Sequence, residues 1–138
     1  MVMEQLAVEI VGLCREYGEC RVEVERMEEA RRVKNALESV CAMARQRLDI
    51  SDPALLLALL DACEVTRDEG MLQEVLDVVG RNLDRLAVSA ESVKLLACCY
   101  YYVEEEECVE RAGRMLEELR KMGRGEEELA DVETILEE

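Results

Sequence analysis

Hydrophobic positions recur along this chain at helical spacing, and polar residues interrupt them at regular intervals. Leu6, Ile10, Leu13 and Tyr17 share one side of a helix predicted over residues 2–17, with Val11 and Cys14 beside them and Gly18 placed to end it. A longer helical stretch is predicted over 21–48. Its stripe is Val33, Ala36, Leu37, Val40, Cys41, Ala44 and Leu48, close to the i, i+3, i+4, i+7 rule. Ser51-Asp52-Pro53 opens the next helix, with Asp52 suited to the N-cap and Pro53 to the first helical position. From Pro53 to about Val65 it is apolar nearly all round, through Leu55, Leu56, Leu57, Leu59 and Leu60, so it needs cover on most sides. Thr66-Arg67-Asp68-Glu69 has capping-box spacing. It leads a helix with a one-sided stripe at Leu72, Val75, Leu76, Val79, Leu83 and Leu86.

The alternation then returns. Ser89-Ala90-Glu91 restarts a helix that is again apolar nearly all round at Val93, Leu95, Leu96, Ala97, Cys98 and Cys99. Glu104 to Glu107 open the following one, where acids complement the positive end of the helix dipole. Its stripe is Cys108, Ala112, Met115, Leu116, Leu119 and Met122. Arg120 and Lys121 lie in its last turn, and Gly123 stops it. A final stretch, 126–138, carries Leu129, Val132, Ile135 and Leu136.

A short, multiply apolar helix followed by a longer amphipathic one thus occurs three times, with one helix over. Ser51 and Ser89 stand 38 positions apart, and Leu72, Leu76, Val79, Leu83 and Leu86 align with Cys108, Ala112, Met115, Leu119 and Met122 at a shift of 36. A period near 37 is the mark of stacked helical hairpins, each burying its inner helix between neighbours. The predicted fold is all-α: one domain of stacked antiparallel hairpins, a short α-solenoid of about seven helices. The hairpins cover about 2–48, 52–87 and 89–123, and the last helix covers 126–138. The first unit is longer, about 49 residues if Leu6, Ile10 and Cys14 correspond to Leu55, Leu59 and Cys63. The close at Ile135-Leu136-Glu137-Glu138 has no clear cap, as expected of a piece of a longer solenoid or of a chain that finishes against a partner.

Composition supports the helical reading. Half of the 138 residues are hydrophobic, with no Phe or Trp, four Tyr, one Pro and seven Gly. Good helix formers dominate and turn residues are scarce. Such a chain buries about 68% of the surface its unfolded form exposes. The net charge is −16, from 33 acidic and 17 basic residues. That excludes a surface tracking a phosphate backbone throughout, and suits a basic protein partner or a protein component of a nucleoprotein particle.

Three phrases carry a family resemblance. Ser51 to Ala62 (SDPALLLALLDA), Met71-Leu72, and Leu86 to Ala97 (LAVSAESVKLLA) resemble the degenerate 37-residue helical repeats of organellar RNA-metabolism proteins. These are the heptatricopeptide and FAST-kinase-like repeats, relatives of tetratricopeptide and pentatricopeptide arrays. The resemblance covers about residues 51–123. The Trp, Gly, Tyr and Pro signature of tetratricopeptides is absent, as is the terminal nuclease-like domain some such proteins carry. The acidic charge also departs from arrays that read RNA base by base. The resemblance implies membership of an organellar ribosome, editing or RNA-processing assembly, a ribonucleoprotein, through protein contacts with any RNA contact indirect.

Candidate chemistry is sparse. With no His, neither a His-based triad nor a Cys/His zinc site can be built. The seven cysteines form no Cys-x-x-Cys pair and mostly occupy apolar helix positions, which suits small buried hydrophobes in a reducing compartment. No phosphate loop, metal set, cofactor site or small-molecule site is visible, and the expectation is a non-enzyme. The longest strongly apolar run, Ala54 to Leu60, is far short of the ~20 residues a membrane span needs. The N-terminus lacks the Arg-rich, acid-poor character of a transit peptide, so mitochondrial matrix residence would need a removed leader or a chain that is a fragment; the alternative is cytoplasm.

Three groups are candidate interface residues. Tyr100, Tyr101 and Tyr102 occupy successive helix positions about 100° apart, so at least one should reach a rim or partner surface. Glu104, Glu105, Glu106 and Glu107 either dock a basic segment or a divalent ion, or are a solvated helix start. Arg31, Arg32 and Lys34, with Arg45 and Arg47, either contact RNA or an acidic protein, or pair along the helix as Glu28 with Arg32 and Lys34 with Glu38. The expected function is a helical-repeat scaffold subunit in a multi-subunit complex. A peptide-binding adaptor and an RNA-binding array are the alternatives.

Overall fold

The computed structural model describes residues 3–123, and over these the chain is all-α, with no strand among the described residues. Six helices follow one another: α1 (Met3–Cys20), α2 (Met27–Arg45), α3 (Pro53–Thr66), α4 (Glu69–Arg81), α5 (Ala90–Val103) and α6 (Glu106–Lys121). Single 3-10 turns at Val24–Arg26 and Leu83–Arg85 precede α2 and follow α4. The seventh helix expected over 126–138 lies outside the described residues.

α3 is central. It packs against α1, α2, α4 and α5, which is why Leu55, Leu56, Ala58, Leu59, Leu60, Ala62 and Cys63 are all buried on it. Four neighbours leave α3 only a narrow outward stripe, Ala54, Leu57, Asp61 and Glu64. α1, α3 and α5 form a row through α1–α3 and α3–α5 contacts. α2 packs on α1, α4 on α3, and α6 on α5. α6, with fewer neighbours, buries one stripe: Cys108, Ala112, Met115, Leu116 and Leu119. Met122, expected to extend that stripe, is exposed beyond the last turn.

Local chemistry sets the α3–α4 and α5–α6 turns alike. Asp52 caps α3 by accepting from the Leu55 N–H at 3.1 Å, and Ser89 caps α5 by accepting from the Ser92 N–H at 3.1 Å. Arg67 ends α3 in the left-handed region at φ 57°, its N–H bonded to the Cys63 carbonyl. Glu104 ends α5 the same way at φ 52°, bonded to the Tyr100 carbonyl. The next residues, Asp68 and Glu105, are the N-caps of α4 and α6. Each pair, like the helix starts Pro53 and Ala90 or Glu69 and Glu106, is 37 positions apart.

Several boundaries differ from the sequence reading. α1 runs through Gly18 to Cys20, because Cys20 is buried and holds one more turn in place. Residues 21–26 are turn and 3-10, so the second helix begins only at Met27. Ala36 faces solvent, and Leu48 lies half-buried past the helix end. Thr66 does not cap α4. It is the last residue of α3, with its hydroxyl donating to the Ala62 carbonyl at 2.8 Å. Asp68 is the cap, accepting from the Met71 N–H at 3.0 Å. Val75 and Val79 are buried as read, but with that cap the third buried residue of α4 is Met71, not Leu72, and Met71, Val75 and Val79 match Cys108, Ala112 and Leu116 at a shift of 37, not 36. Leu72 and Leu76 are half-buried one position on, and Leu83 and Leu86 lie beyond the helix.

Arg45, at the end of α2, ties α2 to α4. Its guanidinium donates to Asp68 Oδ2 at 3.2 Å and to Glu74 Oε2 at 3.1 Å, with a second bond to Glu74 Oε1. The Glu74 carboxyl is held below the usual carboxylate range by these hydrogen bonds. Arg45 therefore stabilises the helix junction, and it is not part of a free basic patch.

Candidate functional site

Core packing uses only part of the α1–α3–α5 row, and the remaining face carries the features that ask for a function. On α3 the outward positions are Ala54, Leu57, Asp61 and Glu64. On α5 they are Glu91, Lys94, Cys98 and Tyr101, each 37 residues on. α1 adds Val8, 73% exposed, with Val11 and Arg15. The clefts between these helices are open and mostly apolar. One of about 370 Å³ lies between α1 and α3, against Val8, Val11, Gly12 and Ala54 with Arg15 at its edge. Another of about 360 Å³ lies between α3 and α5, lined by Leu60, Asp61, Glu64, Ala97, Cys98, Tyr101 and Tyr102.

The second cleft brings aromatic rings and carboxylates together. Tyr101 is 74% exposed, and its ring meets that of Tyr102 edge to face at 5.3 Å between centroids. The Tyr102 hydroxyl donates to Glu64 Oε1 at 2.9 Å, joining α5 to α3. Burial and this bond hold the Tyr102 proton well above the usual phenol range. Asp61 has no hydrogen bond or ion pair among the described residues. Its carboxyl is pushed up by burial first and by neighbouring Glu64 second. The Cys98 thiol is pushed up by burial and by both carboxylates. No basic residue lines this cleft.

The three candidate groups fall in different places. Tyr100 and Tyr102 pack partly against the core while Tyr101 projects outward, so only one of the three is freely presented. Glu104 to Glu107 are exposed, but they do not open one helix together. Glu104 is the left-handed end of α5, Glu105 the N-cap of α6, and only Glu106 and Glu107 lie in its first turn. Glu105 borders a smaller cleft of about 240 Å³ against α4, beside Asp77, Arg81 and Val103. Arg31 and Arg32 are exposed on α2 and Lys34 is half-buried. The pairs expected for them, Glu28 with Arg32 and Lys34 with Glu38, are not formed. Arg26 instead pairs with Glu29 at 3.0 Å and Glu23 at 3.6 Å. The basic group lies on α2, and none of Arg31, Arg32 and Lys34 lines the α3–α5 cleft.

The thiols offer little nucleophilic chemistry. Burial pushes Cys14 up to about 11 and Cys41, Cys63 and Cys99 up to about 12, so the thiolate is scarce near neutrality. Among the described residues, no group of three or more Cys, Asp or Glu side chains could hold a metal ion. No helix among them is long and apolar enough to cross a membrane. Comparison of the chain with protein-family models, with curated proteins and with solved structures gave no match.

Asp61, Glu64, Val8 and Cys98 were not singled out from the sequence. Their signal was present as a second period on the apolar helices. Val8, Leu57 and Lys94, then Gly12, Asp61 and Cys98, then Arg15, Glu64 and Tyr101 follow the 49- and 37-residue offsets that also align the buried positions.

Proposed function

We propose that this chain is a non-enzymatic helical-repeat scaffold whose α1–α3–α5 face holds a protein partner in a larger assembly. The observation that carries the reading is the outer face of that row. It leaves Val8 and Tyr101 about three-quarters exposed beside two apolar clefts, an arrangement that loses hydration free energy unless something covers it. The shared 37-residue spacing of caps, turns and buried positions supports a stacked-hairpin solenoid, in which an inner row of helices is a common binding surface. The resemblance to organellar RNA-metabolism repeats points to a ribosome or RNA-processing complex, with mitochondrial matrix or cytoplasm as the setting. Protein contact is favoured over direct RNA binding because the α3–α5 cleft of that face carries carboxylates and tyrosines and no basic residue, while Arg31 and Arg32 sit apart on α2.

The test is an affinity pull-down from native lysate, split into RNase-treated and untreated halves, with wild type and a Val8→Ser/Tyr101→Ser variant. Partners that survive RNase and are lost with the variant support the scaffold. Partners that vanish with RNase and persist with the variant overturn it in favour of RNA tethering.

A further inference from the structure

The cleft between α3 and α5 narrows the choice of partner. It is apolar over most of its lining, as a site for an aliphatic stem should be. One wall is the exposed ring of Tyr101, set edge to face on Tyr102, and ring faces attract cations. The opposite wall carries two carboxylates from one helix face, Asp61 and Glu64. Glu64 has one oxygen engaged by the Tyr102 hydroxyl, and Asp61 has no partner among the described residues. Two like charges held side by side in a partly desolvated cleft repel each other, and no lysine or arginine of this cleft relieves them. The α1–α3 cleft differs: it is apolar, with Arg15 at its edge and no carboxylate in its lining. A ligand lying across the row therefore meets an apolar end and an acidic, aromatic end.

Resting on the scaffold reading, we infer that the α3–α5 cleft receives a lysine or arginine side chain of an amphipathic protein segment whose apolar residues lie along α1 and α3. The aliphatic stem packs on Leu60 and Ala97, the cationic head sits between Asp61 and Glu64, and Tyr101 closes over it. Binding relieves the Asp61–Glu64 repulsion, so the site favours a cation over an uncharged side chain of the same length and rejects an acidic one. The net charge of −16 adds attraction for a basic segment at longer range and opposes a second copy of this chain.

The experiment is selection of a random displayed-peptide library on the full chain. Enriched peptides are then synthesised and their affinities measured against wild type, Asp61→Asn/Glu64→Gln, and Tyr101→Ser. The expected winners carry Lys or Arg flanked by apolar residues. They bind wild type about tenfold tighter than the amide variant and weaken as salt rises. Circular dichroism and thermal melts of the variants show whether the fold is kept. Peptides enriched without a cation, bound equally by wild type and the amide variant but lost on Tyr101→Ser, overturn the inference and leave the scaffold reading in place. Peptides indifferent to all these variants, no enrichment, or a dimer of the chain that dissociates on Tyr101→Ser each overturn it as well. Failure of the scaffold reading itself is read separately, from the RNase-split pull-down.

Discussion

The α3–α4 and α5–α6 pairs share a frame and differ in what they present. Helix starts, N-cap positions and left-handed turns recur at 37 residues, and Leu59 and Leu96 are both fully buried at matching places. The outward residues do not match. Asp61 corresponds to Cys98, Glu64 to Tyr101 and Val65 to Tyr102, so the α3–α5 cleft is built from opposite chemistry on its two sides. Turn geometry and core positions are constrained by the backbone, whereas exposed positions are free to differ. The difference between the two helix pairs is thus concentrated on their outward face.

The largest effects test the shared frame. Leu59→Ala and Leu96→Ala should each cost about 2–5 kcal/mol in denaturant unfolding, because each empties a fully enclosed site. Costs that differ between the two by more than that range would break the equivalence of the units.

The next effect sharpens a contrast at the helix starts. Asp68 caps α4 with its side chain and also accepts from Arg45, whereas Glu105 makes no capping bond. Asp68→Ala should cost about 1–2 kcal/mol and Glu105→Ala less than about 0.5 kcal/mol. Arg45→Ala should cost about 1 kcal/mol, since the pairs it breaks are partly solvent-exposed. Its pH dependence has a definite sign. The folded Glu74 carboxyl lies below its unfolded value, so its stabilisation is full above the unfolded value of about 4.3 and is lost as pH falls through the folded one. The gap between wild type and Arg45→Ala should therefore shrink in acid melts.

How much of this was legible in the sequence follows from which signals were local. Asp52-Pro53, Ser89 and Gly123 act through bonds within one turn, and they mark helix ends where expected; Gly123 adopts φ +69°. Gly18 misled because a glycine ends a helix only if nothing beyond it is held. Here Cys20 is buried. The one-residue slip in α4 has a similar cause. Val75 and Val79 are buried as read, but Leu72 and Leu76 outrank Met71 in hydrophobicity and drew the stripe one position too far, whereas the Asp68 cap and the left-handed Arg67 set the rotation. That at least one of Tyr100, Tyr101 and Tyr102 projects was foreseeable from helical geometry; that it is Tyr101 was not. Its carboxylate neighbours Asp61 and Glu64 are 40 and 37 residues away, and only the α3–α5 packing brings them to it.

A smaller effect compares the two turns directly. Arg67 and Glu104 hold φ of 57° and 52°, where a side chain is strained and glycine is not. Arg67→Gly and Glu104→Gly should each stabilise by about 0.5–1 kcal/mol, read as a shift in denaturant midpoint at constant slope. A gain at one site alone would show that the turns are alike in shape and unequal in strain.

The smallest effect leaves stability untouched and reads the cleft itself. Cys98 occupies the place that Asp61 occupies one unit earlier, and its thiol is held up by burial and then by Asp61 and Glu64 across the cleft. Removing those negative charges lowers the cost of forming the thiolate, and alkylation proceeds through the thiolate. Asp61→Asn and Glu64→Gln should therefore speed Cys98 alkylation a few-fold at fixed, mildly alkaline pH, measured by mass spectrometry of the labelled peptide. Cys41 and Cys63, buried beneath the row, should keep their slow rates in the same sample. If Cys98 and the buried thiols accelerate together, the variants have loosened the fold. If Cys98 does not respond, Asp61 and Glu64 do not share its cleft, and the contrast between the α3 and α5 surfaces loses its electrostatic basis.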